Sequence, residues 1–105
     1  MNSISGIVKI LENPKQKFTK NNNLVTKVRV QFPQFRKTQI VKLVFWGNLA
    51  KDVTNYYKKN DYLLIEGYLS LVNSQPSNKT AKTSKQIQIT VLKVYPFLLG
   101  YSRTQ

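Results

Sequence analysis

Cysteine and histidine are both absent from this chain, and only four of its residues are acidic: Glu12, Asp52, Asp61 and Glu66. Without cysteine there is no disulfide framework and no thiolate metal site, so the fold must stand on packing alone. Nucleophilic or general acid–base chemistry would fall to a poised carboxylate pair. The four acids instead read as scattered over a strand end, a helix, a turn and a strand. A one- or two-metal hydrolytic centre needs clustered carboxylates, so no enzyme activity, catalytic residue, metal site or cofactor is expected. Glycine is scarce as well. Gly6, Gly47, Gly67 and Gly100 form no phosphate-cradling loop, which argues against nucleotide hydrolysis. No stretch approaches the ~20 apolar residues of a membrane-spanning helix. The first strand-like segment begins within a few residues of Met1, leaving no room for a cleavable leader, so a protein that works where it is made is expected.

What the chain has in excess is positive charge. Seventeen Lys and Arg against four acids give a formal +13 over 105 residues. That charge repels itself in a compact state, and its natural relief is a polyanion, nucleic acid first and an anionic membrane behind it. The length suits one barrel-like or sandwich core and little more, with residues 1–98 as the domain and 99–105 as a short tail.

Apolar periodicity orders the chain. Residues 3–11 (SISGIVKIL) read as a strand apolar on both faces, with Ile4, Val8 and Ile10 on one and Ile7 and Leu11 on the other. Such a strand suits a subunit contact. Residues 15–23 read as a bent or frayed strand running into a loop of three asparagines. Over 24–32 strict alternation sets Thr26, Val28, Val30 and Phe32 against Lys27, Arg29 and Gln31. A loop carrying Phe35, Arg36 and Lys37 leads to a strand over 39–46, in which Trp46 shares a face with Lys42. Leu49, Val53, Tyr56 and Tyr57 then follow a helical period, with Asn48 as the expected cap. The next strand, 62–72, turns Leu63, Ile65, Leu69 and Leu71 inward and Tyr62, Glu66 and Tyr68 outward. A polar stretch over 73–85, bearing Lys79, Lys82 and Lys85, separates it from a last strand over 86–94. The order β-β-β-α-β-β, all-β with one helix, is that of a five-stranded OB-fold barrel.

Basic side chains interleaved with aromatics are what single-strand binding requires, because cations follow the phosphates while aromatic rings stack on bases of any identity. The expected DNA-binding residues are Trp46, Phe35 and Tyr68 as stackers, with Lys27, Arg29, Lys42, Arg36, Lys37, Lys79, Lys82 and Lys85 as backbone contacts. Phe32 reads as core, since it continues the apolar register of its strand. Tyr68 serves a subunit contact equally well.

The residues also resemble those of a known family. The opening MNSISGIVKILENPKQKFTKNN, with Asn13-Pro14 and Lys17-Phe18-Thr19, looks like the start of bacterial single-stranded DNA-binding proteins. The block from Trp46-Gly47-Asn48-Leu49-Ala50 to Glu66-Gly67-Tyr68-Leu69 is similar to that family's central block. The resemblance spans roughly residues 1–98. It implies an OB fold, a homo-oligomer usually of four domains, and single strands wrapped around it. Trp46 falls on a family stacking position, Lys42 on a basic one, and Phe35 and Arg36 near another. Two further stacking positions fall on Ile40 and near Ser74, neither of which can stack. The family's acidic tail is not seen in a chain ending at Tyr101-Ser102-Arg103-Thr104-Gln105, which puts recruitment of replication partners through such a tail in doubt. A short, Lys/Asn/Ile-rich version resembles those encoded in algal plastid genomes, so a plastid is expected if the chain is organelle-encoded, and otherwise a bacterial cytoplasm.

The expectation is therefore a sequence-tolerant single-stranded DNA-binding protein that protects unwound DNA in replication, recombination or repair. A homo-oligomer, tetramer before dimer, would use the first strand. The rival readings are a primosome-like bridging protein that binds DNA weakly and an RNA-binding OB protein.

Overall fold

A computed structural model describes residues 3–33, 39–74 and 84–97, with the side chains of 73, 74, 84 and 85 excepted. Seven elements follow in order: β1 (Ser3–Ile10), β2 (Lys15–Phe18), β3 (Leu24–Gln31), β4 (Ile40–Trp46), α1 (Asn48–Tyr56), β5 (Tyr62–Ser74) and β6 (Ser84–Pro96). The sheet order is β1-β5-β6-β4-β3-β2, and β1 also pairs with β3. That extra pairing closes a ring of five strands, with β2 as a short flap on β3. All neighbours are antiparallel except β4 and β6, which run parallel over Lys42–Val44 and Gln88–Thr90. This is the expected OB barrel, with the frayed segment after Pro14 realised as β2.

Closure depends on β1 serving two neighbours. Ser3–Lys9 pair with β5, while only Lys9 and Ile10 pair with β3. The interior collects one side of each strand: Val8 and Ile10, Val28 and Val30, Leu43 and Phe45, Leu63 and Ile65, Ile89 and Val91, all at most 3% exposed. Phe32 joins this core, as its register requires. The alternation read over 24–32 therefore holds, since Lys27 and Arg29 are exposed between buried Thr26, Val28 and Val30.

At Glu66/Gly67 the β5–β6 register shifts, and the bulge bends the hairpin around the barrel. Gly67 backs directly onto β6: a Cβ there would collide with the Thr90 carbonyl oxygen and stand 3.0 Å from Ile89 Cγ2. Only glycine permits that approach.

α1 closes one end of the barrel with Ala50 and Val53 buried and Leu49 and Tyr57 packed against the core. The Thr26 hydroxyl, fully buried, donates to the Ala50 carbonyl at 3.0 Å and lies 3.1 Å from the Thr54 hydroxyl, fastening the helix to β3. Three details depart from the periodicity. Gly47, at φ 61°, precedes the helix as its cap, and no side chain caps it, so Asn48 is the first helical residue. The helix ends at Tyr56, which is 75% exposed, and the packing role passes to Tyr57 in extended backbone beyond it. Leu71 is 60% exposed instead of core, on the stretch where β5 continues paired with β6 out to Ser74 and Ser84.

Gly67→Ala is expected to lower folding stability by at least about 2 kcal/mol through overpacking against backbone, read as a fall in thermal or urea midpoint. A midpoint within error of the parent would show that the hairpin relaxes freely at this point.

Candidate nucleic-acid interface

Alternation that sends valines inward sends every second residue outward, and the register fixes which of these become neighbours. Lys15 pairs with Lys27, Lys27 with Val44, Val44 with Thr90 and Thr90 with Tyr68, which makes one row across β2, β3, β4, β6 and β5. The adjacent row is Arg29, Lys42, Gln88 and Ser70. On the other side Lys17, Val25 and Trp46 follow one another. Five of the residues singled out from sequence, Trp46, Tyr68, Lys27, Arg29 and Lys42, thus stand on one outer face.

That face has an apolar floor. Val25 and Val44 are only 1% and 2% exposed although they lie outside the main core cluster. Around them Trp46 is 46% exposed, Ile40 44% and Tyr68 37%, so each aromatic presents a ring to solvent. Lys27 is exposed and Lys42 half-buried. Trp46 ends β4 immediately before Gly47, whose positive φ turns the chain sharply into α1.

Arg29 is engaged. Glu12 Oε1 accepts hydrogen bonds from Arg29 Nε at 3.2 Å and Nη2 at 3.1 Å, and Glu12 Oε2 accepts from the Arg29 backbone N–H at 3.0 Å. The backbone bond, the side-chain bonds and the charges of Arg29 and Lys42 hold the Glu12 carboxyl below its ordinary value, against a smaller opposing effect of burial. Leu11, Glu12, Asn13, Lys15, Lys27, Arg29 and Lys59 line a cleft of about 590 Å³ here. Asn13 Oδ1 accepts from the Lys59 backbone N–H at 2.8 Å and holds the turn after α1 against the end of β1. Lys15 and Lys59 are not among the binding residues expected from sequence. The alternation of Lys15 and Lys17 was the available signal for the first, whereas nothing local brings Lys59 to residue 12.

Phe35, Arg36, Lys37, Lys79 and Lys82 lie outside the described residues. Lys85 is described only through its backbone, which pairs with Asn73. Among the described residues no three His, Cys, Asp or Glu side chains gather as metal ligands would.

A model of the single-strand binding protein family matches residues 1–95. The chain belongs to that family. The putative single-stranded DNA-binding protein ycf41 of Trieres chinensis is 41% identical over 103 residues, covering 94% of this chain and 91% of that one. The thylakoid-associated single-stranded DNA-binding protein of Synechocystis sp. is 36% identical over 75 residues, 68% of this chain and 58% of its own. Among solved structures, the crystal structure of the SSB domain of a Synechococcus sp. protein superposes with a TM-score of 0.71 at 28% identity, covering 90% of this chain and 94% of that one. Membership of the single-strand binding family and the OB barrel therefore agree.

Because the Glu12 carboxyl is held below its ordinary value, the stability it adds is complete above the usual carboxylate range. It is lost as pH falls through the lowered folded-state value. The parent is expected to exceed Glu12→Gln by at most about 1 kcal/mol near neutrality, as befits an exposed pair. That gap should close on acidification toward pH 3 in urea titrations. A gap that widens in acid would contradict the pairing.

Proposed function

We propose that this chain binds single-stranded DNA with little sequence preference, laying bases on Trp46 and Tyr68 and phosphates on Lys27, Lys42 and the flanking cations. The observation that carries this is the register itself, which gathers two exposed aromatics and the cations on one outer sheet face of a family fold. Stacking suits any base because every base has a π face, and phosphate neutralisation is equally indifferent to sequence. Phe35, Arg36, Lys37, Lys79, Lys82 and Lys85 are further DNA contacts in this reading. Protection of unwound DNA during replication, recombination or repair is the role that such binding suits. A plastid or cyanobacterial setting is supported by the Synechocystis relative named as thylakoid-associated.

The protein acts as a homo-oligomer in this reading, with β1 at the contact. Two features support it. The β1 edge from Ser3 to Val8 has no second strand partner among the described residues. Beside it, Ile7, Leu64 and Tyr95 follow one another across β1, β5 and β6 on the outer side, with Tyr95 45% exposed. An apolar row beside an open edge fits a second copy of the same strand.

Three measurements test these statements. Trp46→Ala is expected to weaken binding to oligo(dT) by about 1–3 kcal/mol. The parent's log affinity should fall with log salt at a slope near about −3.5 if roughly five phosphates are neutralised per domain. Undiminished affinity in Trp46→Ala, or a slope indistinguishable from zero, would remove the stacking or the electrostatic part of the account. For the assembly, light scattering should find more than one copy per particle, and Ile7→Lys should drive it toward the monomer; a parent that is monomeric at high concentration would refute it.

A further inference from the structure

Arg29 stands on the candidate binding face, yet its guanidinium is already occupied. Glu12 takes Nε and Nη2 with one oxygen and the Arg29 backbone N–H with the other. The side chains are 53% and 39% exposed, so the pair is open to solvent and to solutes. Around it the charge is lopsided: Lys15, Lys27 and Lys59 line the same cleft, and Lys42 faces Arg29 across the β3–β4 ladder. A phosphodiester reaching this cleft meets cations in excess and one carboxylate holding one of them.

We propose that Glu12 is a built-in competitor for phosphate at Arg29. In the free protein the carboxylate holds the guanidinium; in the complex a backbone phosphate replaces it, while Glu12 keeps its hydrogen bond to the Arg29 backbone N–H through the other oxygen. Carboxylate and phosphate both match the planar donor fork of arginine, so either ligand can take it. An exposed ion pair is weak enough to be exchanged. The two attachments of Glu12 separate its functions, since the backbone bond fixes the turn after β1 and the side-chain bonds set how much of Arg29 is available. The cleft then binds a continuous strand, whose many contacts together displace Glu12, in preference to an isolated anion. This inference rests on the single-stranded DNA-binding reading above and adds a regulator to that site.

The test measures oligo(dT) affinity against salt for the intact protein, Glu12→Gln, Asp52→Asn and the double variant Glu12→Gln/Arg29→Gln. Asp52 is an exposed acid on α1 away from the cleft lining, so its variant reports the general effect of removing one negative charge. Glutamine retains an oxygen to accept the Arg29 backbone N–H, and thermal melts verify folding; Glu12→Ala supplies a second reading. Removing the competing carboxylate is expected to raise affinity by up to about fivefold, the cost of breaking an exposed ion pair, while the salt slope stays that of the parent because Arg29 meets the same phosphate in both complexes. Asp52→Asn should show a smaller gain, and the double variant should lose the gain of Glu12→Gln. Glu12→Gln binding like the parent or like Asp52→Asn, or a gain that persists without Arg29, would overturn the inference while leaving salt-dependent DNA binding intact. A parent that binds no single strand at any salt would overturn both.

Discussion

Ring closure at β1 is the constraint on which the rest depends. One strand hydrogen-bonds to β5 along most of its length and to β3 through Lys9 and Ile10, and the sheet becomes a barrel with an inside and an outside. Once closed, the two-residue period of each strand leaves no choice. Val28, Leu43, Ile65 and Ile89 fill the interior, and Lys27, Lys42, Tyr68 and Trp46 are turned out together. The candidate binding face is the reverse side of the core, and the same alternation makes both.

Charge is distributed with similar economy. Two of the four acids are committed to local contacts: Glu12 to Arg29, and Asp61, whose Oδ2 accepts from the Lys58 backbone N–H at 2.8 Å. A third, Glu66, lies opposite Lys93 in the β5–β6 ladder. The excess of cations is therefore left to be compensated by an external anion, and the exposed rings of Trp46 and Tyr68 stand on the same face as Lys27 and Lys42. Neither feature depends on base identity.

Much of this was legible in the chain. The strict alternation over 24–32 and the placement of Trp46 beside Lys42 follow from a period of two, which survives folding because both faces of β3 and β4 meet different media. Phe32 as core follows from the same rule. The details that escaped are those in which one element ends or meets another. Tyr56 sits at a helical core position, but the helix stops there and Tyr57 packs instead. Leu71 has the correct parity for the interior, but it lies on the far stretch of the β5–β6 hairpin and is exposed. Asn48 has a capping side chain, but the turn is made by Gly47 in a conformation that glycine favours. The Glu12–Arg29 pair joins residues separated by the whole β2 hairpin, and no local pattern announces it.

The central claim is that bases stack on Trp46 within a cationic face, and tryptophan fluorescence tests it most directly because Trp46 is the only tryptophan. In a titration with poly(dT), strong quenching at low salt that weakens as salt rises is the expected result. Binding detected by gel shift without any change in fluorescence would take Trp46 off the contact face, and no binding by either method would contradict the account as a whole.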